Sequence, residues 1–153
     1  MVNVLTSIEI NAPLRKVVDY TCDPDNAPEW YYNIKSVTWK TAKPLQVGTR
    51  VAFTARFLSK KLSYTYEVTE WTDQKFVMKT AEGPFPMETT YIFTAINAAL
   101  TRMSLQNKGE PSGFSRLFTP FISMMMKQAN KKDLKKLKSI LEHSFDRKQE
   151  QYQ

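Results

Sequence analysis

Residues 48–70 read GTRVAFTARFLSKKLSYTYEVTE, and this stretch decides the fold. Apolar and polar residues alternate along it twice, first over 48–57 and then over 62–70. A period of two is typical of β-strands that bury one face and expose the other to water. The stretch therefore predicts two adjacent antiparallel strands, with a buried face formed by Val51, Phe53, Ala55, Phe57, Leu62, Tyr64, Tyr66 and Val68.

The same alternation continues on both sides of this pair of strands. It predicts further strands over 4–10, 36–41, 74–80, 87–95 and 101–107. Short connections join the last six strands, which favours a meander of antiparallel hairpins over alternating βαβ units. Between the first and second strands, Pro13 and the Asp23-Pro24-Asp25 turn indicate the starts of two short helices, the first of them over 13–20.

The pattern changes to helical spacing at Thr119-Pro120 and predicts a long helix that ends near Phe145. Residues 149–153 are expected to form a frayed tail. The sequence thus predicts an α+β fold in which a curved antiparallel sheet of about seven strands wraps around a long C-terminal helix, with two short helices after strand 1. Its length of 153 residues fits one domain spanning 1–153.

Two polar residues interrupt the apolar stripe of the predicted C-terminal helix. Asn130 and Asp133 fall on or beside it, and packing alone does not account for them. The stripe itself consists of Phe121, Ile122, Met125, Ala129, Leu137, Ile140 and Leu141.

Composition excludes several classes of function. With one cysteine and one histidine, the chain cannot form an internal disulfide and lacks the ligands for a Cys/His zinc site. Cys22 is expected in a solvated turn, and His143 on the helix surface. The N-terminus is not of the signal-peptide type, and no run of residues approaches the roughly 20 apolar residues of a membrane span. We expect a cytoplasmic protein without a metal or a cofactor.

The net charge of +7 is concentrated near the C-terminus. Residues 116–148 include nine basic and three acidic residues, and one helical face carries Lys127, Lys131, Lys135 and Lys138. A solvated outer face explains this stripe, and so does contact with an anionic surface. Nucleic acid is not expected, because no aromatic residues interleave with the lysines to stack on bases.

If the stripe contacts membranes, binding to anionic vesicles should be weak and salt-sensitive, and neutral vesicles should not bind. Each lysine near such a surface contributes about 1 kcal/mol, so several lysines together give measurable, reversible attachment. Vesicle sedimentation at low ionic strength measures this. If the protein sediments equally with both vesicle types, or with neither, the solvated outer face is the remaining explanation of the lysine stripe.

Five short motifs, taken in order, resemble those of the START-like helix-grip superfamily, and in particular its SRPBCC or polyketide cyclase/dehydrase-like branch of small bacterial proteins. They are IEINAP at 8–13, DPDNAPEW at 23–30, VGTR at 47–50, YEVTEW at 66–71 and NKKDLKKLK at 130–138. One departure is the sequence NAAL at 97–100, where such proteins usually have a glycine-rich turn. The resemblance implies a cavity between the concave sheet and the long helix, and binding of lipids, sterols, polyketides or other apolar molecules.

Among the side chains assigned to the inner face, only tyrosine hydroxyls are polar, and no carboxylate pair, phosphate loop or metal-ligand cluster is apparent. Binding of a small hydrophobic or amphipathic ligand is therefore favoured, in an enclosed pocket of roughly 300–1,000 Å³. The alternatives are a cyclase or dehydratase that uses tyrosines and water, and a protein-interaction module that acts through the basic helix. The expected ligand-binding residues are Trp30, Phe53, Tyr64, Tyr66, Met78, Met87, Tyr91, Met103, Phe121 and Met125.

Overall fold

The computed structural model describes residues 1–57, 59–110 and 119–151, and their elements follow the predicted order. The strands are β1 (Val2–Ile10), β2 (Ile34–Trp39), β3 (Arg50–Phe57), β4 (Lys60–Trp71), β5 (Lys75–Glu82), β6 (Met87–Asn97) and β7 (Leu100–Gly109). The helices are α1 (Leu14–Thr21), a 3-10 turn (Pro24–Asn26), α2 (Ala27–Trp30) and α3 (Thr119–Gln151).

All seven strands form one antiparallel sheet in the order β1-β7-β6-β5-β4-β3-β2. Strands β2 to β7 make the predicted meander, and β1 joins its far edge beside β7. The register shifts within β2, β4 and β6. Such bulges bend a strand and increase its twist. They fit the curvature of a sheet that wraps around a helix, so the helix-grip architecture is confirmed.

The tight turn between β6 and β7 forms without glycine. Asn97 pairs with Leu100, so only two residues lie between the strands. The Asn97 side-chain Oδ1 accepts a hydrogen bond from the backbone N–H of Ala99 at 2.9 Å. Asparagine side chains replace a backbone turn contact in this way. The departure noted at 97–100 therefore leaves the hairpin intact.

Several predicted helix ends are wrong by a few residues. Pro13 precedes α1 in an extended conformation and is not its first residue. Pro28 lies inside α2. Proline is tolerated there because the backbone N–H groups of the first helical turn have no partner within the helix. Helix α3 continues past Phe145 to Gln151, so the expected tail at 149–151 is helical. Its 33 residues span about 50 Å at 1.5 Å per residue.

The core lies where α1 and α3 meet the concave face of the sheet. Leu134, Leu137 and Leu141 of α3 are fully buried there. They share one cluster with α1, α2 and the inner faces of β1, β4, β5, β6 and β7. Two smaller clusters flank it, one around Phe53 on β3 and one around Val2 and Ile122. The sheet and α3 diverge between these clusters and leave a cavity.

The predicted inner face of β3 is confirmed where its side chains are described, whereas Val77 of β5 and Thr90 of β6 are buried although they alternate with inner-face residues. Val51, Phe53 and Ala55 are buried, whereas Arg50 and Arg56 on the same strand are exposed. The side chain of Phe57, which was also assigned to the inner face, lies outside the described part of the structure. Within the described residues, no helix is long and apolar enough to cross a membrane.

Candidate functional site

The candidate site is a cavity of about 190 Å³ between the concave face of the sheet and α3. Three of its lining residues, Asn33, Arg56 and Pro84, are exposed, which shows where it meets solvent. The large side chains of the wall are aromatic residues and methionines: Tyr31, Phe53, Tyr64, Tyr66, Phe76, Met78, Phe85, Met87, Tyr91 and Met126.

The expectation of an enclosed pocket of 300–1,000 Å³ is wrong, because the cavity is smaller and partly open. The aromatic side chains pack against one another and fill part of the interior. The rings of Tyr64 and Tyr66 lie 5.0 Å apart, and both contact Phe53 at 5.7 and 6.1 Å. Edge-to-face contacts at these distances are favourable for aromatic pairs.

Six of the ten expected ligand-binding residues line the cavity: Phe53, Tyr64, Tyr66, Met78, Met87 and Tyr91. All six lie on β3 to β6, where strict alternation defines the inner face. The structure places these six side chains in the cavity wall. Their contact with a ligand stays a prediction.

The other four expected residues do not line the cavity. Trp30 and Met103 are fully buried in the main core, and the ring of Trp30 packs against the lining residues Tyr31 and Tyr91. Phe121 is 50% exposed, and Met125 is half-buried away from the cavity. Each residue turns a helix by about 100°, so an error of one position moves a side chain off a face. The cavity-facing neighbours are Ile122 and Met126.

The interpretation that the cavity offers only tyrosine hydroxyls as polar groups is also wrong. Asn130 and Asp133 of α3 both line it, at exposures of 6% and 3%. The Asn130 Nδ2 is buried and has no hydrogen-bond partner among the described residues. Asp133 accepts a hydrogen bond at Oδ1 from the backbone N–H of Tyr32 at 3.1 Å. The two residues that interrupted the apolar stripe therefore face the cavity.

Two pairs of hydroxyl groups hold the tyrosine side chains in place. The hydroxyls of Tyr31 and Tyr91 lie 2.7 Å apart. Thr89 donates its hydroxyl proton to Asn107 Oδ1 at 3.0 Å, so the Tyr66 hydroxyl, 3.0 Å from Thr89 Oγ1, is the donor in that contact. Buried tyrosines with satisfied hydroxyls give a rigid wall with defined polar points.

Burial determines the protonation of the site. It raises the pKa of Tyr31, Tyr64, Tyr66 and Tyr91, so all four stay neutral near pH 7. Burial also raises the pKa of Asp133 to about 6, against the opposing effects of the Tyr32 N–H and of two nearby lysines. A carboxyl group with such a pKa changes charge near neutral pH, which is typical of functional sites.

Cys22 also lines the cavity, and its expected place in a solvated turn is wrong, because it is only 2% exposed. Burial raises the pKa of its thiol to about 12, so the reactive thiolate is not populated at neutral pH. Among the described residues, no group of three or more His, Cys, Asp or Glu side chains is placed to hold a metal ion.

The lysine stripe on α3 is smaller than expected. Lys138 donates to Glu142 at 2.6 Å and to the backbone carbonyl of Glu9 at 2.9 Å, so it serves a local structural role. Lys127, Lys131 and Lys135 are exposed and border a shallow groove between α3 and β1, which Leu5 and Ile8 also line. Contact of this face with an anionic membrane stays a prediction.

Comparison with known proteins identifies the family to which the fold described above belongs. The model of the family "Polyketide cyclase / dehydrase and lipid transport" matches residues 1–142, so the chain belongs to this family. Among curated protein sequences, none matches the chain significantly.

Solved structures agree with this assignment at the level of the fold. The protein TTHA0849 from Thermus thermophilus is 22% identical, with a TM-score of 0.78 over 91% of this chain and 96% of that one. The Zhui aromatase/cyclase from a Streptomyces species is 12% identical, with a TM-score of 0.77 over 92% of this chain and 93% of that one. A START superfamily protein from Mycobacterium smegmatis is 12% identical, with a TM-score of 0.74 over 92% and 97%. The START-like helix-grip fold is therefore confirmed.

Sequence reasoning missed the polar part of the site. Tyr31 follows Trp30 in the chain, but only the tryptophan was assigned to the cavity. Thr89 and Asn107 lie on predicted strands, and their short polar side chains give no signal of their own. The spacing of three residues between Asn130 and Asp133 was the available signal, because it places two polar side chains on one helical face.

Proposed function

We propose that the protein binds one small, largely apolar molecule in the cavity between the sheet and α3, with a polar group of that molecule directed at α3. The observation that carries the proposal is a mainly apolar cavity in which the buried Asn130 Nδ2 lacks a partner among the described residues. An unpaired buried donor costs free energy, and a ligand acceptor would relieve that cost.

The size of the cavity narrows the range of ligands. An apolar protein cavity of about 150 Å³ holds benzene. A volume of about 190 Å³ therefore suits a compact molecule, about as large as a one- or two-ring aromatic, better than a long lipid chain. A longer molecule has a route outward past the exposed lining residues Arg56 and Pro84.

Ala129→Phe is expected to weaken binding of 2-naphthol, an uncharged two-ring probe, by about tenfold or more. Ala129 lines the cavity, and a phenylalanine ring at this position occupies the space that the probe needs. Fluorescence titration of the probe measures the affinity.

Gln128→Phe is the matched control, because it adds the same ring to an exposed neighbouring position on α3. It should bind the probe like the wild-type protein. Thermal unfolding of both variants shows whether they are folded, since overpacking costs about 1–3 kcal/mol. Equal binding by Ala129→Phe and the wild-type protein contradicts a site in this cavity.

A second function, cyclisation or dehydration of a polyketide-like substrate, is supported by one specific observation. Asp133 lines the same cavity as Tyr31 and Tyr91, whose hydroxyls lie 2.7 Å apart. A carboxyl group with a pKa near 6 beside neutral hydroxyl donors is suited to general acid-base chemistry. Asp133→Asn would then abolish turnover of such a substrate.

A further inference from the structure

Two polar side chains of α3 line the cavity, the amide of Asn130 and the carboxyl group of Asp133, three residues apart on the same helix. The Asn130 Nδ2 offers N–H donors and has no partner among the described residues. Asp133 uses Oδ1 for the Tyr32 N–H, and no hydrogen bond from a described residue reaches its Oδ2. Above the pKa of its side chain, Asp133 is an acceptor only.

We propose that this pair of side chains selects a neutral ligand group that carries an acceptor for Asn130 and a donor for Asp133, and that it rejects carboxylates. This inference rests on the proposed function and specifies the chemical class of its ligand. A primary amide offers a carbonyl oxygen and an N–H, and a hydroxyl group offers both functions on one atom. A carboxylate offers two acceptors and a negative charge, which Asp133 repels.

The charges around Asp133 support rejection of a second anion. Tyr31 and Tyr91 face the same region and are neutral. Lys132 and Lys136, the two cations that act on Asp133, place their ammonium groups over the exposed ring of Tyr32, at 4.3 and 4.8 Å from its centroid. Neither lysine is part of the cavity wall.

Arg56 is the cationic side chain among the described lining residues, and it is exposed. A carboxylate ligand can therefore find a counter-charge at the solvent-facing rim but not beside Asp133. Arg56→Gln removes this counter-charge at the rim. Binding to this variant therefore distinguishes carboxylate binding at the rim from ligand selection beside Asp133.

The test compares 1-naphthamide with 1-naphthoate, which share one ring system and differ in the polar group. At pH 8 the wild-type protein should bind the amide about tenfold or more tightly than the carboxylate, by isothermal titration. Arg56→Gln should keep this preference. Asp133→Asn keeps an oxygen for the Tyr32 N–H and adds a donor, so it should bind naphthoate more tightly and reduce the preference to about threefold or less.

The dependence on pH gives a second readout that a merely structural role of Asp133 would not produce. Naphthoate stays ionised between pH 5 and 8, whereas Asp133 loses its proton within this range. The wild-type preference for the amide should therefore increase with pH, and Asp133→Asn should show no such change.

Equal affinities for the two probes in the wild-type protein, or an unchanged preference in Asp133→Asn, overturn the inference and leave the proposed function standing. The same holds if 2-naphthol binds and neither naphthyl derivative does. If none of the three probes binds, the proposed function fails and the inference with it.

Discussion

Replacement of Trp30 by alanine is expected to lower the free energy of unfolding by about 3–5 kcal/mol, the usual cost of removing a large aromatic side chain from a packed core. Trp30 is fully buried, and its ring lies 3.9 Å from the ring of Tyr31 and 5.8 Å from that of Tyr91. Both tyrosines line the cavity. The substitution therefore leaves a void directly behind the cavity wall, and denaturant unfolding measures its cost.

Trp71→Ala is the matched control for this experiment. Trp71 is 39% exposed and meets the edge of Phe76 with 6.4 Å between ring centroids. Because its ring already contacts water, we expect no more than about half of the loss seen for Trp30→Ala. Equal losses in the two variants contradict the central position of Trp30 in the core.

Asp133→Asn is expected to increase the free energy of unfolding by about 3 kcal/mol at pH 8 and to change it little at pH 4. Burial raises the pKa of Asp133 in the folded protein from 3.8 to about 6. The folded state therefore holds this proton more tightly than the unfolded state. As the pH rises from about 4 to about 6, the folded protein loses stability relative to the unfolded chain, and above this window the full cost is present.

Asparagine removes the charge and retains the oxygen that accepts from the Tyr32 N–H. For a domain of this size, the gain at pH 8 corresponds to an increase in Tm of about 6–12 °C. Asp73→Asn is the control, because the Asp73 side chain is 69% exposed in its ion pair with Arg15 and its replacement should change stability by about 0.5 kcal/mol or less. A gain that is equal at pH 4 and pH 8, or a loss at pH 8, contradicts a buried, charged Asp133.

The strands were predictable because apolar and polar residues alternate along most of their length, even though β5 and β6 each bury three consecutive residues. Phe53, Tyr66 and Tyr91 lie on the cavity side, as the alternation predicted. The pattern specifies the face strongly, because a shift of one residue would move every side chain on a strand to the opposite face. The bulges in β2, β4 and β6 left no comparable signal. They change the register locally and alter curvature without altering the average pattern.

The helix was harder to interpret, because two successive parts of it contact different regions of the protein. Leu134, Leu137 and Leu141 fill the core, whereas Ile122, Met126 and Ala129 form one wall of the cavity. A count of apolar residues places Phe121 and Met125 on the same stripe, but the first is exposed and the second faces away from the cavity. Asn130 and Asp133 lower the apparent amphipathicity of the helix at the position that carries the polar part of the site.

The crystal structure of the protein with 2-naphthol bound tests the central claim most directly. We expect density for one probe molecule against Phe53 and Tyr91, with its hydroxyl group within hydrogen-bond distance of Asn130 or Asp133. Density for the probe at the protein surface only, or an interior filled by the side chains of the wall, contradicts the account.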